Sequence, residues 1–530
     1  MSAKGKPVSA EGGPIGVEAF FSRLAAHDSA RLALAGRDRR VSYGSLLTEV
    51  ARLTTMLRES GTRVVATLLD NGPAWAIVDL AALHAGIVHV PIPGFFTSQQ
   101  SAFVLDAAGV DTLATAAPLP DWTASDCDVA GERIVLCSRT PDRQVPIHRG
   151  TAKITFTSGT TGTPKGVCLS AASMLAVAEG LTRATSMLSI ARHLCALPLA
   201  VLLENVAGLY APLLTGAASV VLPTRDVGLE GSSQFDPAKL EQAVQAHEAQ
   251  SVIVLPQMLR AWSTWRHAHR AIDETHRATI ENAARSSLRL IAVGGAPVGI
   301  AAIESARAAG LPAYEGYGLS EGASVQTLNL PDADGPGSVG RALPHARVRV
   351  ATDGEIEIAG SVMLGYLGEP ALTTDPRAGD APGEETWWKT GDVGSVDADG
   401  YTYVHGRRRN VLITAYGRNV SPEWVETALT SQPAIAQAVV QGDGKPALEA
   451  VLWPAHAAVP NEALATAISR ANAGLPDYAR VRRFVRAHVP FTVQAGVCTP
   501  NGRPQRRAIE AMHADAFATD SSAFDPVRHA

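Results

Sequence analysis

Short apolar runs of strand length alternate with longer helix-like stretches through roughly the first 300 residues. Arg63–Leu68 reads as a strand, Pro73–Ala85 as a helix, and Ile87–Pro93, Ser219–Leu222 and Ser251–Leu255 as further strands. This alternation predicts α/β layers on largely parallel sheets. From about Val339 the texture changes. Arg347–Ala351, Glu355–Ala359 and Tyr401–His405 are short runs divided by Asp353-Gly354 and Asp399-Gly400, the chemistry of β-hairpin turns. Beyond Arg409 a smaller α+β unit follows, with helices predicted at Pro422–Thr430 and Glu462–Ala473 and strands at Ala434–Val440 and Leu448–Leu452.

The 530 residues suggest roughly three to four domain-sized units. Apolar residues at 46% against 18% charged are ordinary for a globular chain. A net charge of −5 leaves no electrostatic footprint for nucleic acid or an anionic membrane. The five cysteines (127, 137, 168, 195 and 498) form no CxxC pair, which argues against a disulfide framework or structural zinc. Met1–Pro14 has no apolar segment of signal-peptide type, and the apolar stretch Leu194–Pro223 is broken by Pro198, Glu204, Asn205 and Pro212. The expectation is a cytoplasmic chain with no nucleic-acid partner and no integral membrane association.

The candidate chemistry concentrates in Thr155-Phe-Thr-Ser-Gly-Thr-Thr-Gly-Thr-Pro-Lys-Gly166. Gly159 and Gly162 let backbone N–H groups turn inward, and Thr157, Ser158, Thr160 and Thr161 add hydroxyls. Lys165 adds a point charge, a combination suited to a polyphosphate. It is not a Walker A loop, because Pro164 stands in the second glycine's place and Gly166 in that of Ser or Thr.

This string resembles the phosphate loop of the adenylate-forming superfamily of acyl-CoA synthetases, adenylation domains and beetle luciferases. Further blocks resemble that superfamily's motifs, in its order, over roughly residues 20–510. Gly294-Gly295-Ala296-Pro297 looks like the turn lining adenosine and substrate. Glu315-Gly316-Tyr317-Gly318-Leu319-Ser320-Glu321 is similar to the motif whose tyrosine lies against adenine and whose last glutamate assists Mg²⁺ on ATP, with Ser320 replacing a threonine. Gly337–Arg341 and Gly354–Ile358 match the next blocks. Trp388–Asp392 and Gly406-Arg407 resemble the motifs whose Asp392 and Arg407 approach the ribose. Singly, each has an ordinary alternative: Asp392 suits a turn, Tyr317 core packing, and Glu321 a helix start.

The resemblance implies a large AMP-binding domain over residues 1–408, built of two α/β sheets and a β-rich subdomain. A small mobile α+β domain over 409–530 would rotate about a hinge at Arg409. It also implies ATP or acyl-AMP, Mg²⁺ held by Glu321, and coenzyme A, with Lys165, Glu321 and position 503 catalytic. The length of Gly406–Glu426 resembles the long-chain acyl-CoA synthetase branch. Amino-acid-activating relatives keep an aspartate in the pocket block, whereas Leu197–Glu204 has no charge before Glu204, and Val201 stands where long-chain relatives often have histidine. An apolar, bulky carboxylic acid is therefore expected, with Val201 and Gly294 lining its pocket. Arg480, Arg482, Arg483 and Arg486 form a basic cluster able to meet CoA phosphates or simply to face solvent.

One position departs from the family. The frame Thr499-Pro-Asn-Gly502-Arg503-Pro-Gln-Arg506 resembles a C-terminal motif whose lysine reaches carboxylate and α-phosphate, but that lysine is Arg503 here. A guanidinium is a wide planar fork and an ammonium a compact charge. Losing one pre-placed group at a transition state commonly costs ~10²–10³ in rate. The chain is arginine-rich, so Arg503 could also be a working replacement; Lys445, the only lysine after residue 409, is far from the motif. Three readings follow: thioester formation from an adenylate supplied by a separate adenylating enzyme, a full two-step synthetase, or a non-catalytic nucleotide-binding descendant. A carrier-protein thiol could replace CoA.

Overall fold

The computed structural model describes residues 15–157, 164–231, 234–273, 287–369, 387–415, 418–499 and 503–518. A nine-stranded sheet carries a continuous parallel run through Leu32–Ala35, Ala218–Val220, Arg192–Leu194, Ser251–Val254, Leu290–Val293 and Ala313–Leu319. Antiparallel strands close both of its edges. In the eight-stranded sheet only Thr151–Thr157, Val88–Pro91, Val64–Leu68 and Thr112–Thr115 are parallel neighbours. The expectation of largely parallel sheets thus holds for the first sheet and fails for the second. Its outer strands Thr123–Val129 and Glu132–Ser138 are joined only through Ala130-Gly131, too short for a parallel crossover.

Between the sheets lies the helix Pro73–Ala85, started by Pro73 and ended by Gly86 at φ 70°. It is buried on every side, as an all-round apolar helix must be. Its one carboxylate, Asp79, is therefore surrounded by partners. Lys153 Nζ lies 2.5 Å away, Tyr210 Oη donates at 2.7 Å and Asn205 Nδ2 at 3.0 Å.

The hairpins read from Asp353-Gly354 and Asp399-Gly400 are present in a four-stranded antiparallel sheet of Arg347–Val350, Glu355–Ala359, Trp388–Val396 and Thr402–Arg407. Past Arg409, the strands Ile435–Gln441, Leu448–Pro454 and Val481–Arg486 pack with helices Pro422–Thr430, Asn461–Ala473 and Arg506–Ala518. Their apolar clusters, centred on Leu429, Val440 and Phe484 and on Val451, Phe491 and Ile509, draw no member from the large domain among the described residues. No described helix is long and apolar enough to cross a membrane.

Candidate active site

A cavity of about 1420 Å³ opens where the parallel strands of the nine-stranded sheet end, the usual ligand position in such sheets. Leu290–Val293 delivers Gly294 and Gly295 to its wall, and Ala313–Leu319 delivers Gly316, Tyr317 and Gly318. Gly295 sits at φ 85°, where a side chain would be strained. A Cβ on Gly318 would fall 2.2 Å from Ser324 O, so the motif's glycine is needed for backbone contact.

Glu321 rides on the tight turn Ser320–Gly322, which is followed by Ala323 and Ser324 at φ 58° and 116°. Strain of this kind persists where surrounding structure imposes it, often beside a functional group. Glu321 Oε1 accepts a 2.9 Å hydrogen bond from Tyr366 Oη. The Tyr366 ring in turn lies under Lys165, whose Nζ is 4.9 Å from its centroid and 3.5 Å from Glu369. Lys165 begins the strand Lys165–Ser170 and faces Thr157 in register, so both ends of the phosphate loop reach the cavity wall. Ser158, Gly159, Thr160, Thr161 and Gly162 lie outside the described residues.

The opposite wall is more tightly bonded. Tyr317 Oη donates to Asp392 Oδ2 at 2.6 Å, and Arg407 Nε lies 2.8 Å from Asp392 Oδ1. Burial raises the Asp392 pKa, opposed by Arg407, Tyr317 and Arg503. Burial and the Asp392 charge together push the Tyr317 phenol far up, so it remains a donor. Asp392 itself is not at the wall; Thr390, Gly391 and Arg407 are. Ser320, Arg409, Val201 and Arg503 also line it. The Arg503 N–H donates to Thr499 Oγ1 at 3.2 Å. Burial and the neighbouring Arg407 and Arg409 disfavour its charge, while Asp392 and Glu321 favour it.

Several residues singled out from the sequence do not line this cavity. Glu315 is not at the wall: its carboxylate accepts the Val298 N–H at 3.2 Å, close to Arg260, and burial pushes its pKa to about 7. It braces the turn that carries Gly294 and Gly295. Ala296 and Pro297 are likewise absent from the wall. In the basic cluster, Arg483 pairs with Glu449 at 3.2 Å, Arg480 donates to Leu475 O and Arg486 to Val459 O, so these arginines tie the small domain together. None of them, nor Arg482, lines the cavity, and Lys445 pairs with Glu449 instead of approaching it.

Sequence reasoning missed Tyr366. It sits on the two-residue strand Gly365–Tyr366, whose pairing with Val167 and Cys168 no local pattern announces. It also missed Arg408, which is at the wall and pairs with Asp353 at 2.7 Å and with Glu355. Glu321 and the cavity hydroxyls form an oxygen-donor set suited to a magnesium nucleotide.

The model of the AMP-binding enzyme family matches residues 21–367, and that of the AMP-binding enzyme C-terminal domain matches residues 409–519. A long-chain-fatty-acid–CoA ligase of Mycobacterium bovis is 29% identical, covering 88% of each chain. The 2-succinylbenzoate–CoA ligase of Bacillus subtilis is 26% identical over 78% of this chain and 82% of that one. The fold is similar to that of the solved o-succinylbenzoate CoA synthetase of Bacillus subtilis in complex with its acyl-adenylate, with a TM-score of 0.70 at 23% identity over 93% of this chain and 97% of that one. Ordered motifs, a cavity at the strand ends and a matching family model over most of the large domain converge: the chain belongs to the AMP-binding enzyme family of adenylate-forming enzymes.

Proposed function

We propose that this chain is an acyl-CoA ligase that forms the CoA thioester of an apolar, bulky carboxylic acid through an acyl-adenylate, with its adenylation half-reaction weakened by Arg503. The CoA ligases among its relatives support the reaction class. The acid class is supported by Leu197, Val201, Leu203, Ala207 and Ile253 along the cavity. In adenylation a carboxylate oxygen would attack the α-phosphorus of ATP and pyrophosphate would leave. Lys165 and the phosphate loop would offset the polyphosphate charge, Glu321 would hold Mg²⁺, which neutralises phosphate charge, and Asp392 with Arg407 would engage the ribose. In the second step the CoA thiolate would attack the acyl carbonyl and AMP would leave.

The observation that carries the proposal is the position of Arg503. It shares the cavity wall with Tyr317, Glu321 and Lys165. There desolvation and the neighbouring Arg407 and Arg409 disfavour its charge, while Asp392 and Glu321 favour it. Thioester formation would follow rotation of residues 409–530 about Arg409, away from residues 1–408, and Arg503 would leave with them. The separate cores on either side of the turn Arg408–Asn410 support such a rotation. The adenylate would then come from a separate adenylating enzyme.

The test compares CoA thioester formation from free acid with MgATP and from the preformed adenylate, with pyrophosphate release measured in parallel. Product from adenylate alone, together with a gain of pyrophosphate release in Arg503→Lys, is the expected result. Equal rates from both sources would mean that Arg503 suffices for both steps. Failure with every adenylate would leave a nucleotide-binding descendant, unless a carrier-protein thiol replaced CoA as acceptor.

A further inference from the structure

The cavity does not stop at the nucleotide end. On the sheet face covered by helices Ala171–Ala184 and Ala211–Thr215 it runs back along the strands, and its wall includes His193, Ser251 and Leu290 near their starting ends. Ser251 is in register with Leu290, four positions before Gly294. At ~3.3 Å per residue this places Ser251 about 13 Å from the strand end where the reacting carboxyl would lie.

Ser251 belongs to a buried relay. Its Oγ lies 2.8 Å from His193 Nδ1, and His193 Nε2 lies 2.9 Å from Glu204 Oε1. Glu204 Oε2 accepts the Leu197 N–H at 2.9 Å. Ser251, His193 and Glu204 are 5%, 3% and 0% exposed. With a neutral imidazole opposite the Glu204 carboxylate, one tautomer satisfies all of these contacts. Nε2–H donates to the carboxylate, and Nδ1 accepts the Ser251 hydroxyl proton. The Ser251 oxygen then keeps its lone pairs for the cavity.

The surrounding backbone accommodates this relay. Gly208 lies in the widened turn Asn205–Tyr210, and a Cβ there would fall 2.1 Å from Glu204 Oε1 and 2.8 Å from His193 Nε2. Thr182, Thr185 and Thr215 on this part of the wall donate to backbone carbonyls, Ala178 O, Leu181 O and Pro212 O, whereas Ser251 is held by an imidazole.

We infer that Ser251, oriented by His193 and Glu204, is an acceptor for a hydroxyl group on the distal part of the acyl substrate. The inference rests on the acyl-CoA ligase reading and narrows its substrate class. The acid is apolar along most of its length and carries an alcohol or phenol O–H well away from the carboxyl. A 2- or 3-hydroxy acid places its oxygen too near the reacting end to reach Ser251.

The test uses the full chain with CoA and preformed adenylates of a matched set: a straight-chain acid, its 3-hydroxy form and its terminal-hydroxy form. The terminal hydroxyl is expected to raise kcat/KM about tenfold over the plain chain, the gain typical of one satisfied hydrogen bond, and the 3-hydroxyl is not. In Ser251→Ala the ratio of terminal-hydroxy to plain substrate falls to about one, and in Glu204→Gln it falls partway. An unchanged ratio in Ser251→Ala, or equal turnover of plain and terminal-hydroxy chains by the unaltered chain, overturns the inference. Calorimetric binding of the same free acids provides a second readout. If no adenylate yields thioester, the ligase reading fails. Tighter binding of the terminal-hydroxy acid, lost in Ser251→Ala, would still uphold the acceptor, and equal binding would refute it.

Discussion

Lys153 and Lys165 stand on neighbouring antiparallel strands of one hairpin, Thr151–Thr157 and Lys165–Ser170, yet they live in opposite surroundings. Lys153 is 1% exposed and spends its charge on Asp79, Asn205 and Tyr210. Burial lowers its pKa, and Asp79 opposes that shift. The Lys165 side chain is 53% exposed, with Glu369 at 3.5 Å and the Tyr366 ring beneath it. The first lysine ties the helix Pro73–Ala85 to the eight-stranded sheet and to the turn Asn205–Tyr210. The second keeps its charge available for a ligand, because no buried counter-ion claims it. The residue type is the same, and burial and partners decide the role.

Removing the buried charge should have the largest effect. Lys153→Met leaves Asp79 ionised without its main counter-charge, and breaking a buried pair from one side costs about 3–5 kcal/mol. Chemical denaturation should show that loss in unfolding free energy, and the double variant Lys153→Met with Asp79→Leu should recover much of it. Equal losses in single and double variants would mean that the pair carries no coupling.

Lys165→Ala is expected to reverse that profile. Pyrophosphate release with MgATP should fall further, by roughly 10²–10³ where the native rate is measurable, while stability stays within about 0.5 kcal/mol of the parent. A large drop in melting temperature would place Lys165 with Lys153 as a structural charge.

Glu315 sharpens the contrast from a third side, being a half-buried acid without a close salt-bridge partner among the described residues. Its folded pKa of about 7 lies above the ordinary carboxylate value, so the folded state holds a proton that the unfolded state releases earlier. Its contribution is therefore fully present below the unfolded value and is lost as pH rises to about 7. Glu315→Gln should remove this loss, raising stability at pH 8 relative to pH 5 by on the order of 2 kcal/mol against the parent. Parallel pH–stability curves for the two proteins would refute the assignment.

The smallest effect is expected for Tyr366→Phe, which keeps the ring under Lys165 and deletes the hydroxyl on Glu321. A loss of about 1 kcal/mol, seen as a several-fold rise in the apparent Kd of MgATP with little change for AMP, would fit a positioning hydroxyl. Equal weakening for both nucleotides would not.

Much of this was legible locally. Pro73–Ala85, Glu355–Ala359 and Pro422–Thr430 occur with the boundaries that their patterns suggest, because helical and strand periods, Pro starts and Asp-Gly turns are encoded within a few residues. The motif order pointed to Gly294, Tyr317, Glu321 and Arg407 together, and all four line one cavity. Glu315 lies inside a motif whose neighbours face the cavity, and only the fold shows that its carboxylate meets the Val298 N–H and lies near Arg260. Tyr366 and Ser251 were invisible for a related reason. Each meets its partner across long sequence separation, Tyr366 with Glu321 over 45 positions and Ser251 with His193 over 58.

The sequence by itself determined the element types, the family, and an arginine, Arg503, in a frame that resembles the superfamily's lysine-bearing motif. The tertiary structure decided which charges are structural, which face the cavity, and that a Ser-His-Glu relay lines its far end. The physical reason is that backbone periodicity and turn chemistry are short-range, whereas a charged or hydroxyl group takes its role from its burial and from partners that only folding brings near.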